Sequence, residues 1–152
     1  DIDAHRLELA KRLGLATYTI NPSTESAEEA VRALTQGRGA DAVIEAAGGA
    51  DTFQTAWQIA RPNSVVALVA MYEQAQPFPL PNMYGKNLIF KTGGVDAVHC
   101  DRLMKLIACG KLNTDFLITH RAPLNDLMEG YHVFGGKQEH CLKWAVTPPV
   151  NK

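Results

Sequence analysis

The side chains able to carry chemistry are few and scattered. The three cysteines are Cys100, Cys109 and Cys141, and the five histidines are His5, His99, His120, His132 and His140. His99 adjoins Cys100 and His140 adjoins Cys141, but neighbours in sequence rarely aim both side chains at one ion. No Cys-x-x-Cys or similar ligand spacing occurs. An odd, dispersed set of thiols is also no disulfide framework or redox pair. One carboxylate stands out: Glu45 lies within an apolar, small-residue run at residues 42–47. Buried there, it needs a partner or a raised pKa. No Gly-x-Gly-x-x-Gly occurs, so the turn that brings backbone amides to a pyrophosphate is not spelled out.

Composition narrows the function classes. The 152 residues are 46% hydrophobic and 20% charged, which suits one globular domain with an ordinary core. Fifteen basic and sixteen acidic residues leave a net charge of -1, and no Lys/Arg run could track a phosphate backbone, so nucleic acid is not an expected partner. The longest apolar stretches, such as residues 64–70, are strand-sized and far short of the roughly 20 residues that cross a bilayer. The first residues are too polar for a secretory signal, and with reduced thiols the expected location is the cytoplasm.

The elements that must position these groups follow from periodicity. Asp3 is a suitable N-cap for a helix with Leu7, Ala10 and Leu13 on one face, closed by Gly14. Residues 17–20 read as a short strand. A Ser26/Glu29 capping box opens a helix with Ala27, Ala30, Val31 and Leu34 in register, ending at Gly37. Residues 42–47 form the next strand, followed by a helix with Phe53, Ala56, Trp57 and Ala60 on one face. Residues 64–70 then read as a strand covered on both faces. Three prolines between Pro77 and Pro81 predict an irregular loop, after which the strand from Asn87 to Lys91 runs to Gly93-Gly94.

Asp96 can cap a helix carrying Leu103, Leu106 and Ile107 up to Gly110. Asn125 can cap another with Leu127, Met128, Tyr131 and Phe134, ending at Gly135-Gly136. Residues 142–147 make a last strand before Pro148. Strands alternating with amphipathic helices at this spacing call for an α/β fold, a parallel sheet with helices on both sides.

Several stretches as spelled resemble the zinc-dependent medium-chain dehydrogenases, the family of alcohol, sorbitol and butanediol dehydrogenases. They are Asp1-Ile-Asp-Ala-His-Arg-Leu-Glu-Leu-Ala-Lys-Arg-Leu-Gly14, Ile20-Asn-Pro22, Ala40-Asp-Ala-Val-Ile-Glu-Ala-Ala-Gly48 and Phe116-Leu-Ile-Thr-His120. Their order and spacing match from Asp1 to Val146. The resemblance implies a Rossmann-like, doubly wound sheet of order 3-2-1-4-5-6 in which this chain begins at the end of the second strand. On that expectation the first strand, the Gly-rich turn and most of the second strand are absent. So is the N-terminal domain whose Cys, His and carboxylate ligands hold the catalytic zinc. Residues 1–152 are thus expected to be a portion of the NAD-binding domain.

The resemblance also implies roles for single residues. Asp1 matches the acidic residue that accepts bonds from both adenine-ribose hydroxyls and repels a 2'-phosphate, favouring NAD over NADP. Arg6 matches a basic position against the adenosine, with a solvated helix charge as the alternative. Ala46, Ala47 and Gly48 leave room for a cofactor across the carboxyl edge of the sheet, and tight strand-to-helix packing would explain them nearly as well. Val69 and Thr92 match positions that bind the nicotinamide through backbone groups, and for Gly93 the turn alone is a sufficient reason. Lys143 matches a basic residue near the diphosphate, against the reading of an exposed strand lysine. Glu45 matches an acidic position of the family and reads as structural.

The function so implied is hydride transfer between an alcohol and NAD in the intact enzyme, with an alcohol or carbonyl compound as substrate and no turnover by the chain alone. The alternative is a non-catalytic, dimerising fragment without tight cofactor binding. In either case a homo-oligomer is expected through the strand from Asn87 to Lys91, with Leu88 and Phe90 at the interface. Strand order leaves residues 17–20 without a neighbour and one edge of the 42–47 strand open.

Overall fold

The computed structural model describes residues 1–94 and 97–149, in two units that span Asp1–Val95 and Asp96–Lys152. The cap proposed at Asp96 falls outside the described residues.

The first unit opens with helix α1 (Ala4–Arg12), whose N-cap Asp3 accepts the amides of His5 and Arg6 at 2.8 and 3.2 Å. Helix α2 (Ala27–Leu34) starts where Ser26 Oγ accepts the Glu29 amide at 3.2 Å. It ends where Gly37, at φ 81°, returns its amide to Arg32. Both starts agree with the capping logic, because an unpaired first-turn amide needs a side-chain oxygen.

Strands β1 (Ala40–Glu45), β2 (Ala60–Leu68) and β3 (Ile89–Thr92) form a parallel sheet in the order β1-β2-β3. Helix α3 (Thr52–Ile59) crosses from β1 to β2 and buries Phe53, Ala56 and Trp57 on the face that its spacing predicts. These residues meet Val43, Ala60, Val66 and Met83 in the core, with Leu68, Leu88 and Phe90 bridging its two clusters. The sheet, its parallel sense and the crossover make this an incomplete, Rossmann-like doubly wound α/β fold.

Several expectations are corrected. Residues 17–20 form no strand: the chain bends at 17–18 and pairs with no strand among the described residues, so no ladder forms. β2 is not covered on both faces: Ser64 and Val66 are buried, whereas on the opposite face Ile44 is 74% and Ile89 54% exposed. β2 also starts earlier than the apolar run. Ala60 pairs with Ala40, and the register then slips so that Ala42 meets Val65. The intervening excursion carries Pro62, which has no amide, and Asn63 at φ 60°. The Pro-rich loop contains a short helix α4 (Leu80–Met83), with Pro81 in its first turn, where a missing N–H costs nothing. Leu88 and Phe90, expected at an interface, pack inward; β3 alternates, so Ile89 is the residue that faces out.

In the second unit, helix α5 (Cys100–Ala108) buries none of its residues, although Leu103, Leu106 and Ile107 were its expected core face. Strand β4 (His120–Pro123), not foreseen, pairs in parallel with β5 (Trp144–Thr147) in a separate two-stranded sheet. Helix α6 (Leu127–Gly135) follows a single helical turn, Leu124–Asp126, and its N-cap is Asp126 rather than Asn125. The buried face of α6 is Gly130 and Val133, while Met128 and Tyr131 are 75% and 67% exposed. The reason is steric: Gly130 lets the Trp144 indole lie directly on the helix backbone.

Candidate cofactor site

Parallel strands place all their carboxyl ends on one edge. Glu45 pairs with Leu68 and Leu68 with Thr92, so one row crosses the three strands just before they end. The residues that follow are Ala46, Val69 and Gly93, and this edge is where open α/β sheets take their ligands. The expected positions Ala46, Ala47, Gly48, Val69, Thr92 and Gly93 therefore gather on one edge of one sheet. Ala46, Ala47, Val69, Thr92 and Gly93 are all exposed there.

Beneath that edge lies Glu45, 5% exposed. Its Oε1 accepts the amides of Ala47 and Gly48, each at 2.9 Å, and its backbone carbonyl accepts those of Val69 and Ala70 at 2.9 and 3.3 Å. Oε2 is buried without a hydrogen-bond partner at regular geometry, though the Tyr72 hydroxyl and Thr52 lie near enough to favour the ionised carboxyl. Thr52 Oγ1 and Tyr72 Oη are 3.4 Å apart. Burial pushes the Glu45 carboxyl up, but the nearby Tyr72 hydroxyl, the Gly48 and Ala47 amides and the Thr52 hydroxyl together outweigh it and hold the group below the usual carboxylate range. The same burial and the bond to Glu45 push the Tyr72 phenol up. Glu45 thus meets its need for partners through bonding, not through a raised pKa. Tyr72 and Thr52 went unnoticed in the sequence because nothing in their spacing links them to Glu45.

Gly48 adopts φ 68°, and a Cβ on it would stand 2.6 Å from the Met71 carbonyl oxygen. The turn after β1 and the one after β2 are therefore in backbone contact, which only glycine permits here.

Asp1 and Arg6 come together in the same unit. Arg6 Nη2 is 3.1 Å from Asp1 Oδ1 and Arg6 Nε is 3.5 Å from Asp3 Oδ2. Asp1 Oδ1 also accepts the Asp3 amide at 2.9 Å, so the aspartate and the arginine are oriented rather than loose.

Lys143 belongs to the second unit, one residue before β5 rather than on a strand. Its carbonyl accepts from the His120 amide at 3.2 Å and from Thr119 Oγ1 at 3.3 Å. The His120 ring bridges Thr119 Oγ1 at 2.9 Å and Glu139 Oε2 at 3.3 Å and stacks on Trp144 at 5.2 Å. With Tyr131, Phe134 and Trp144, Lys143 lines a cavity of about 230 Å³.

Among the described residues no group of three or more His, Cys, Asp or Glu side chains is placed to hold a metal ion. The donor set present does not fit a catalytic zinc. No helix among the described residues is long and apolar enough to cross a membrane.

A family model described as zinc-binding dehydrogenase matches residues 1–98. The chain belongs to that family. An alcohol dehydrogenase of Cupriavidus necator is 29% identical over 154 residues, covering 97% of this chain and 41% of its own length. Among solved structures, the alcohol dehydrogenase TADH from Thermus sp. ATN1 is 32% identical with a TM-score of 0.89, over 98% of this chain and 42% of that one. The zinc dependent alcohol dehydrogenase 2 from Streptococcus pneumonia, in its apo form, is 29% identical with a TM-score of 0.92, over 100% of this chain and 44% of that one. The chain thus spans about two fifths of the length of the relatives it matches.

Proposed function

We propose that this chain is the cofactor-domain part of a zinc-dependent, NAD-linked alcohol dehydrogenase of the cytoplasm, acting on a small alcohol or its carbonyl counterpart. The observation that carries the reading is the row Glu45–Leu68–Thr92, which brings the small residues after β1 level with Val69 and Gly93. Small side chains and exposed backbone on one edge suit a flat dinucleotide. In this assignment Asp1 and Arg6 hold the adenosine ribose, Ala46, Ala47 and Gly48 underlie the cofactor, and Val69, Thr92 and Gly93 bind the nicotinamide end. Bound NAD would supply the hydride acceptor. Relatives named alcohol dehydrogenase support the substrate class. No step is assigned to zinc, for which the described residues offer no ligand set.

Calorimetric titration with NAD and NADP of the protein as expressed from its own gene tests the cofactor, with NAD expected to bind more tightly. Tighter binding of NADP would overturn the assignment of Asp1. Alcohol oxidation by residues 1–152 alone would overturn the claim that the chain contributes the cofactor side only.

A second reading, a dimerising module without tight dinucleotide binding, is favoured by β3 standing at the end of its sheet and by the exposed apolar residues Ile89, on that strand, and Tyr84, which are 54% and 80% exposed. Light scattering together with the NAD titration separates the two. A folded dimer that takes up no NAD supports the second reading, and a monodisperse monomer at micromolar concentration counts against any dimer through residues 87–91.

A further inference from the structure

We infer that the Glu45 side chain is a positioning group of the dinucleotide crevice: it holds the turn after β1, which lies in backbone contact with the turn after β2, and so fixes the surface on which the cofactor rests. The inference builds on the cofactor assignment above. Glu45 makes no exposed contact of its own: at 5% exposure its carboxylate is turned beneath the edge, away from any ligand lying across it. What it does instead is collect amides. Its side chain takes those of Ala47 and Gly48 from one turn, and its main-chain oxygen takes those of Val69 and Ala70 from the other. Both turns carry residues assigned to the cofactor.

The two turns also touch directly, since Gly48 lies against the Met71 carbonyl with no room for a side chain. A shift of the first turn is therefore passed to the second. Thr52 and Tyr72, which share a 3.4 Å contact, extend the fastening to the first turn of α3 and to the segment after Met71. A buried acceptor that gathers several amides loses little freedom of its own, and removing it leaves two part-buried amides without the partner that holds their turn. The function that follows is pre-organisation: the cofactor meets a crevice already in its bound shape.

Three variants of the protein as expressed from its own gene test this, with NAD calorimetry and amide hydrogen exchange as readouts. Glu45→Ala is expected to raise exchange at Ala47 and Gly48 while Val69 and Ala70, bonded to a main-chain oxygen that the substitution leaves in place, change least. NAD affinity is expected to fall about tenfold, the scale of an unmet buried donor. Glu45→Gln keeps a side-chain oxygen at the same reach and is expected to recover most of both. If Glu45→Ala fails to fold, Glu45→Asp, which draws the carboxylate back by one methylene, carries the same comparison. Wild-type affinity in Glu45→Ala or Glu45→Asp, or exchange raised uniformly across the sheet, would overturn the inference. If the wild-type protein binds no NAD, the cofactor assignment fails, and the exchange pattern alone then upholds or refutes Glu45 as the residue that holds the turn after β1.

Discussion

Lys86 caps the end of the helix that carries Trp57 and lies over the same residue's ring. Its ammonium donates to the carbonyls of Trp57, Gln58 and Ala60 at 3.0, 2.6 and 2.9 Å, and stands 5.5 Å from the indole centroid. These carbonyls fall at the carboxyl end of α3, where the last turn lacks intrahelical partners and the helix dipole favours a cation.

Lys86→Met keeps the aliphatic stem and removes those bonds. The expected loss is about 2 kcal/mol of stability, the size of hydrogen bonds to a charged group. Urea denaturation measures it, and NAD affinity should be unaffected because Lys86 lies at the other end of α3 from the carboxyl edge of the sheet. An unchanged midpoint would show that the cap adds nothing.

Acid should weaken the fold through Glu45. Its carboxyl is held below the ordinary range in the folded chain, so the folded state binds this proton less tightly than the unfolded state. The contribution is present in full above the ordinary carboxylate value and is lost as pH falls through the depressed one. Stability measured by urea titration from pH 7 down to pH 3 should therefore decline more steeply in the wild type than in Glu45→Gln. Parallel profiles would remove Glu45 as a source of acid sensitivity.

Gly130 tests the second unit independently. A Cβ there would stand 2.6 Å from Trp144 Cδ1 and Nε1, so Gly130→Ala must displace the indole or the helix. Overpacking of this kind costs about 1–3 kcal/mol, more than alanine's better helix propensity returns. Near-ultraviolet circular dichroism should report a loss of tryptophan asymmetry, and a more stable variant would contradict the packing described.

Asp1→Asn addresses cofactor choice. Without the charge, repulsion of a 2'-phosphate disappears and the bond to the ribose weakens, so the preference for NAD over NADP should shrink by about tenfold, equivalent to one charge-assisted bond. The ratio of the two dissociation constants measures it. An unaltered ratio would take Asp1 out of the ribose site.

Much of the fold was legible because local rules and long-range packing agreed. Asp3 and Ser26 cap the helices that their positions foretell, and the face Phe53-Ala56-Trp57-Ala60 is buried as its spacing requires. Agreement failed where packing chose among several apolar options. α6 is apolar on more than one side, and the residue that decided its buried face was Gly130, through the absence of a side chain, not any of the large residues around it.

By itself the sequence determined the alternation of strands and helices from α2 to β3, the caps at Asp3 and Ser26 and the family resemblance, because these depend on residue types a few positions apart. Only the tertiary structure decided which residues share the carboxyl edge. It set Ile89 outward with Leu88 and Phe90 inward, and brought the amides of Val69 and Ala70 to the Glu45 carbonyl. Those relations depend on strand register and on close backbone approach between segments some 20 residues apart, as between Gly48 and Met71. No periodicity records them.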